Sequence, residues 1–204
     1  MAQVLKINPI NPQIRLISKV VEVLVSGGII IYPTDTVYGL GCDIFNKKAI
    51  QKIYQIKGKS FKQPLSFIVP NLKQISQFAF VSNKAYRIMR KLLPGPYTFV
   101  LPASRLVPKK ISINNKKTVG IRIPRNKVCM SILEAFSNPI ISTSANISGE
   151  DVLSDPHAIQ ETIGHSIDLI IDTGILGHMA STVVDLTQTD PVILRQGSGE
   201  FNLI

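Results

Sequence analysis

Thr34, Asp35, Thr36 and Tyr38 put three hydroxyls and one carboxylate where an apolar run breaks, in Gly28-Ile29-Ile30-Ile31-Tyr32-Pro33-Thr34-Asp35-Thr36-Val37-Tyr38-Gly39-Leu40-Gly41. Pro33 has no N–H and ends the strand, while Gly39 and Gly41 let the backbone turn or approach a ligand closely. In open α/β sheets such strand ends are where ligands bind. The same Thr and Asp side chains also suit an ordinary turn that satisfies its own backbone.

Three further clusters carry chemistry. Lys57, Lys59 and Lys62 in Lys57-Gly58-Lys59-Ser60-Phe61-Lys62-Gln63-Pro64-Leu65 are mobile point charges that can converge on a triphosphate, or complement a helix C-terminus. A Walker A loop is absent. Ser142-Thr143-Ser144-Ala145-Asn146-Ile147-Ser148-Gly149 offers hydroxyls, an amide and backbone N–H groups to phosphate oxygens or a carboxylate, or forms a plain turn. G-x-S-x-G is absent, which argues against a serine nucleophile. Arg122 stands alone among apolar neighbours in Thr118-Val119-Gly120-Ile121-Arg122-Ile123-Pro124 and calls for a carboxylate, from the protein or from a ligand. Arg195 poses the same choice, and Ser181-Thr182 adds a hydroxyl pair at a strand start.

The elements that position these groups follow from periodicity. Ile14, Ile17, Val20, Val21, Leu24 and Val25 predict an amphipathic helix from Pro12 to Ser26, leaving through Gly27-Gly28. Further helices are expected over about Lys47–Ile56, Ala85–Leu93 behind a Ser82 cap, Lys127–Phe136, and Pro156 to about Ile163. Strands are expected at Ile29–Tyr32, Leu65–Val69, Tyr97–Leu101, Thr118–Ile123, Pro139–Ser142, Asp168–Asp172, Thr182–Asp185 and Val192–Arg195, with a basic loop over Arg105–Lys117. Their irregular interleaving predicts one α/β domain over residues 1–204, built on a twisted mixed sheet with flanking helices.

Composition narrows the function classes. The formal net charge of +10 favours polyanionic partners such as nucleotides, pyrophosphate or RNA. Cys42 and Cys129 have no CxxC spacing, and His157, His165 and His178 lack metal-ligand spacing, so no protein-held metal is expected. No apolar run approaches the roughly 18 residues that cross a bilayer. The N-terminus has no secretory h-region, which predicts a cytoplasmic protein without a membrane partner.

Taken in order, PTDTVYGLG at Pro33 to Gly41, KGKSFKQPL at Lys57 to Leu65, PGPYTFVLP at Pro94 to Pro102, VGIRIP at Val119 to Pro124, STSANISG at Ser142 to Gly149, and STVVDLT at Ser181 to Thr187 followed by ILRQGSG at Ile193 to Gly199 resemble the Sua5/YciO/YrdC family over nearly the whole chain. The resemblance implies a YrdC-like fold with a basic concave surface. It implies synthesis of L-threonylcarbamoyladenylate from L-threonine, bicarbonate and ATP, with Mg²⁺ accompanying ATP and pyrophosphate released. This is the first step towards N6-threonylcarbamoyladenosine in ANN-decoding tRNAs, with tRNA and the downstream threonylcarbamoyl-transferase complex as implied partners. By resemblance Thr34, Thr36, Arg122, Ser142 and Ser181 hold threonine. Lys57, Lys59, Gln63, Thr118, Ser144, Asn146 and Arg195 face the nucleotide, and Lys57, Lys59 and Arg122 carry catalysis.

The sequence also departs from the synthase pattern. Lys59 stands where Arg is usual, Ile68 where a His often follows the PL strand, and Val152 where an Arg often follows the SAN loop. Asn8 to Ile17 resembles the YciO-like branch, which keeps an RNA-binding or RNA-maturation protein without synthase activity as the alternative. The extra C-terminal domain of longer Sua5 proteins is not expected.

Overall fold

The computed structural model describes residues 1–58, 65–108, 111 and 117–202. Along the chain lie β1 (Gln3–Lys6), α1 (Ile14–Val25), β2 (Ile30–Tyr32), β3 (Gly39–Gly41), α2 (Lys47–Ile56), β4 (Ser66–Ile68), α3 (Leu72–Phe78) and α4 (Asn83–Leu92). There follow β5 (Tyr97–Pro102), β6 (Thr118–Arg122), α5 (Lys127–Phe136), β7 (Ile140–Ser144), α6 (Pro156–Ile163), β8 (Leu169–Asp172), β9 (Thr182–Asp185) and β10 (Val192–Arg195). The strands form one mixed sheet in the order β1-β8-β2-β3-β7-β4-β6-β5-β9-β10. Among the described residues four pairs are parallel (β1/β8, β2/β8, β4/β6, β5/β9) and the other five antiparallel, so the α/β sheet has both crossover and direct connections.

Strand periodicity divides the two faces. One register row runs Ile141–Phe67–Ile121–Phe99–Val184 across β7, β4, β6, β5 and β9, and every member is fully buried. These side chains meet Ile50, Ile53 and Tyr54 of α2, Ile75 and Phe78 of α3, Met89 of α4, and Ile159 and Ile163 of α6. Each such large apolar side chain contributes about 1.5–3 kcal/mol when buried.

The opposite face is covered only in part. There α1, through Ile17, Val20 and Leu24, and α5, through Val128, Cys129, Ile132, Leu133 and Phe136, pack on Ile30, Tyr32, Leu169, Ile171, Ile140 and Ile68. Asn126 caps α5 through the N–H of Cys129, and Gly27, at φ +85°, supplies the left-handed turn that ends α1.

Three elements were not expected from the sequence. β1 is an edge strand of four mostly exposed residues with no alternation to read, and α3 is only seven residues long. β3 is Gly-Leu-Gly, and glycine argues against a strand. Both glycines are nevertheless required: a Cβ at Gly39 would lie 2.6 Å from Tyr32 Cζ, and one at Gly41 would lie 2.4 Å from the Ile141 carbonyl oxygen. Helix α1 begins at Ile14 rather than Pro12, because the Gln13 carbonyl accepts the first helical bonds from Leu16 and Ile17.

Candidate functional site

The uncovered part of the α1/α5 face is a cavity of about 290 Å³. Its floor is the register row Ser142–Ser66–Gly120–Val100, one residue out of phase with the apolar row behind it. Small residues on this face leave the space that large ones fill on the other. A Cβ at Gly120 would sit 3.2 Å from Ser66 Cβ and 3.3 Å from Thr98 Cγ2, so the glycine keeps the floor open.

One wall comes from the turn after β2. Thr34 Oγ1 donates to the Val37 carbonyl at 2.6 Å and accepts from the Thr36 N–H at 3.1 Å, closing a tight local turn. The turn aims Thr36 at Arg122: Nη1 donates to Thr36 Oγ1 at 2.9 Å, and Nη2 pairs with Asp35 Oδ1. Arg122 is 7% exposed and lines the cavity. The carboxylate that its sequence context calls for is thus supplied by Asp35. Asn126 ties the turn to the start of α5 by donating to the Thr34 carbonyl at 3.3 Å.

A second wall is the end of β7 and the loop beyond it. Ser142 and Ser144 line the cavity, and Ser66 Oγ donates to the Ser142 carbonyl at 2.7 Å. Ser144 Oγ donates to Asn146 Oδ1 at 2.6 Å, while Asn146 Nδ2 donates to the Glu150 carbonyl at 2.6 Å. Lys57 Nζ lies beneath this loop, donating to the Ser144 carbonyl at 2.9 Å, the Asn146 carbonyl at 2.6 Å and Asn146 Oδ1 at 2.7 Å. With Lys57 at 1% exposure, its ammonium holds the loop from behind and does not line the cavity.

The third wall joins β5, β9 and β10. The Thr98 and Ser181 hydroxyls lie 2.8 Å apart, and both line the cavity. Arg195 donates to the Ser181 carbonyl from Nη2 at 2.8 Å and from Nε at 3.2 Å. A β-bulge sets its direction: Ile193 faces Val184 and Arg195 faces Val183, with Leu194 as the extra residue. A regular strand would put Leu194 opposite Val183 and turn Arg195 to the core face. Partial burial, then the like charge of Arg122, lowers the pKa of Arg195 from the usual guanidinium value.

The fold therefore gathers Thr34, Thr36, Arg122, Ser142, Ser144, Ser181 and Arg195 around one cavity. Lys57 and Asn146 stand in the supporting loop layer. Thr118 shares a face of β6 with Gly120 and Arg122 but starts the strand, beyond the cavity lining. Lys59 and Gln63 lie outside the described residues. Sequence reading missed Thr98 and Ser66, whose cross-strand placement no local motif reveals. Burial pushes both cysteine thiols well above their ordinary pKa, which leaves neither as a nucleophile.

The Sua5/YciO/YrdC family model, described as telomere recombination, matches residues 22–197. The uncharacterized protein YciO of Escherichia coli is 39% identical over 201 residues, 98% of this chain and 98% of that protein. The crystal structure of E. coli YciO superposes with a TM-score of 0.94, covering 98% of both chains. A threonylcarbamoyl-AMP synthase of Coxiella burnetii is 35% identical over 162 residues, 79% of this chain and 86% of that one. The structure of Pyrococcus abyssi Sua5 complexed with L-threonine superposes with a TM-score of 0.89 at 31% identity, covering 95% of this chain and 57% of that one. Among the described residues, no helix is long and apolar enough to cross a membrane.

Proposed function

Because this chain belongs to the Sua5/YciO/YrdC family, we propose that it is an L-threonylcarbamoyladenylate synthase. The amine of L-threonine attacks bicarbonate-derived CO₂ to give a carbamate, and a carbamate oxygen then attacks the α-phosphorus of ATP, releasing pyrophosphate. Mg²⁺ enters as the counter-ion of ATP. No step needs a protein nucleophile. What the reaction requires is positioning of three substrates and stabilisation of charge on the phosphates.

The observation that carries this reading is the cavity wall, where hydroxyls and two guanidiniums converge on space suited to an amino acid and a phosphate group. In the proposal, Arg122 and Thr36 hold the threonine carboxylate, and Ser142 and Ser181 orient its amine and hydroxyl. Ser144 and Arg195 face the phosphates. Lys57 and Asn146 shape the Ser144 loop, and Lys59, Gln63 and Thr118 extend the nucleotide side. The relatives named as synthases support the reading at 33–35% identity. It assigns the cytoplasm as compartment, and tRNA with its threonylcarbamoyl-transferase machinery as downstream partners.

Pyrophosphate release tests it. Release is expected only when ATP, L-threonine and bicarbonate are all present, and no release from folded protein with all three overturns the proposal. A floor variant gives a second check. Gly120→Val fills the cavity and crowds Ser66 and Thr98, so threonine affinity is expected to fall about tenfold or more alongside a stability loss of about 1–3 kcal/mol. Unchanged affinity would move the ligand elsewhere.

RNA binding without turnover is a second reading, favoured by the +10 charge. Titration with structured RNA at two salt concentrations separates the two readings. A groove that binds RNA phosphates loses affinity steeply as salt rises. Salt-insensitive or absent binding removes this alternative.

A further inference from the structure

Arg122 and Arg195 both line the cavity, yet they differ in what stands behind them. Arg122 is paired with Asp35, whose side chain is 12% exposed and lies outside the cavity lining. Arg195 is held by the Ser181 carbonyl and hydroxyl, and no carboxylate lies within ion-pair distance of it among the described residues. Arg122 is therefore half of a compensated ion pair, whereas Arg195 carries a positive charge with no carboxylate beside it.

We propose that Asp35 is a positioning residue that sorts the ligands of this cavity by charge, keeping Arg122 for the carboxylate of a zwitterionic amino acid and leaving phosphate groups to Arg195. A guanidinium with a buried counter-ion keeps its directional N–H donors but projects a weaker net field than one without. A zwitterion, neutral overall, is recognised by such donors. A phosphate group is drawn by net field, and Arg195 supplies it. Without Asp35 both guanidiniums would attract phosphates, and the nucleotide would compete with the amino acid for Arg122. Thr36 fixes Nη1 of Arg122 at 2.9 Å without adding charge, so the two neighbours separate positioning from charge balance.

This inference rests on the amino-acid and nucleotide reading of the cavity. It is tested by calorimetric titration of L-threonine and inorganic pyrophosphate into the wild type, Asp35→Asn and Thr36→Val. Asp35→Asn is expected to bind pyrophosphate about tenfold tighter, with the gain shrinking at high salt, and added pyrophosphate is expected to weaken its L-threonine binding about tenfold while leaving that of the wild type nearly unchanged. Thr36→Val should weaken L-threonine without strengthening pyrophosphate. A merely structural Asp35 would weaken both ligands or neither, and either result overturns the proposal. Where Asp35→Asn does not fold, Asp35→Glu keeps the charge and should keep the wild-type order of preference, and a switch towards pyrophosphate in that variant overturns the proposal equally. A wild type that binds both ligands but releases no pyrophosphate from ATP sinks the synthase reading alone. Turnover in the wild type without the switch in Asp35→Asn sinks charge sorting alone, and a wild type that binds neither ligand sinks both.

Discussion

Arg122→Ala is expected to weaken L-threonine binding by about a hundredfold and to lower folding stability by about 3–5 kcal/mol. The two losses have separate causes. Binding falls because a forked, charge-assisted contact to the ligand carboxylate disappears. Stability falls because Asp35 and the Thr36 hydroxyl lose their partner in a nearly closed setting, where an unpaired carboxylate is costly. The double variant Arg122→Ala, Asp35→Ala should therefore recover much of the stability, read by chemical denaturation, without recovering threonine affinity. Recovery of binding in the double variant would show that Arg122 has only a structural role.

Lys57→Met should be nearly as damaging, by a different route. Its ammonium satisfies the carbonyls of Ser144 and Asn146 and the Asn146 side chain from beneath. Methionine preserves much of the stem but leaves those acceptors without this donor, an expected loss of about 3 kcal/mol. The loop that presents Ser144 then loses its shape, so ATP affinity should fall at least about tenfold while threonine affinity changes little. Thermal melting and the two ligand titrations read all three effects. Full stability together with lost ATP binding would mean that Lys57 reaches the phosphates directly, against the geometry described above.

Much of the fold was legible because local chemistry and tertiary demand agree. Ser82 announces α4 as its cap and Pro156 marks the first turn of α6, while α2, α5, β9 and β10 occupy the expected spans. The strand end at Pro33 was equally readable, since proline and clustered hydroxyls mark it without reference to the rest of the chain. What escaped reading depends on partners distant in sequence. β3 is a strand only because the Tyr32 ring covers its glycines. The polar floor is recognisable only once register sets Ser66 beside Ser142 and Gly120.

The same limit applies to the site. Arg122 announced a need for a carboxylate, but its partner, Asp35, sits 87 residues away in sequence. Arg195 announced a cation at a strand end, but its aim depends on the extra residue at Leu194, which alters the side-chain phase of β10 by one. Lys57 looked like a mobile charge on a loop. Its burial beneath Asn146 reflects a contact across 89 residues.

In the proposed reaction one concave sheet face gathers an amino acid on Arg122 and the phosphates of a nucleotide on Arg195. A crystal structure of the protein with L-threonine and a non-hydrolysable ATP analogue measures this directly. The threonine carboxylate is expected on Arg122 and Thr36, and the phosphates against Ser144 and Arg195. Ligands bound away from the Ser142–Ser66–Gly120–Val100 floor, or phosphates seated on Arg122, would contradict it.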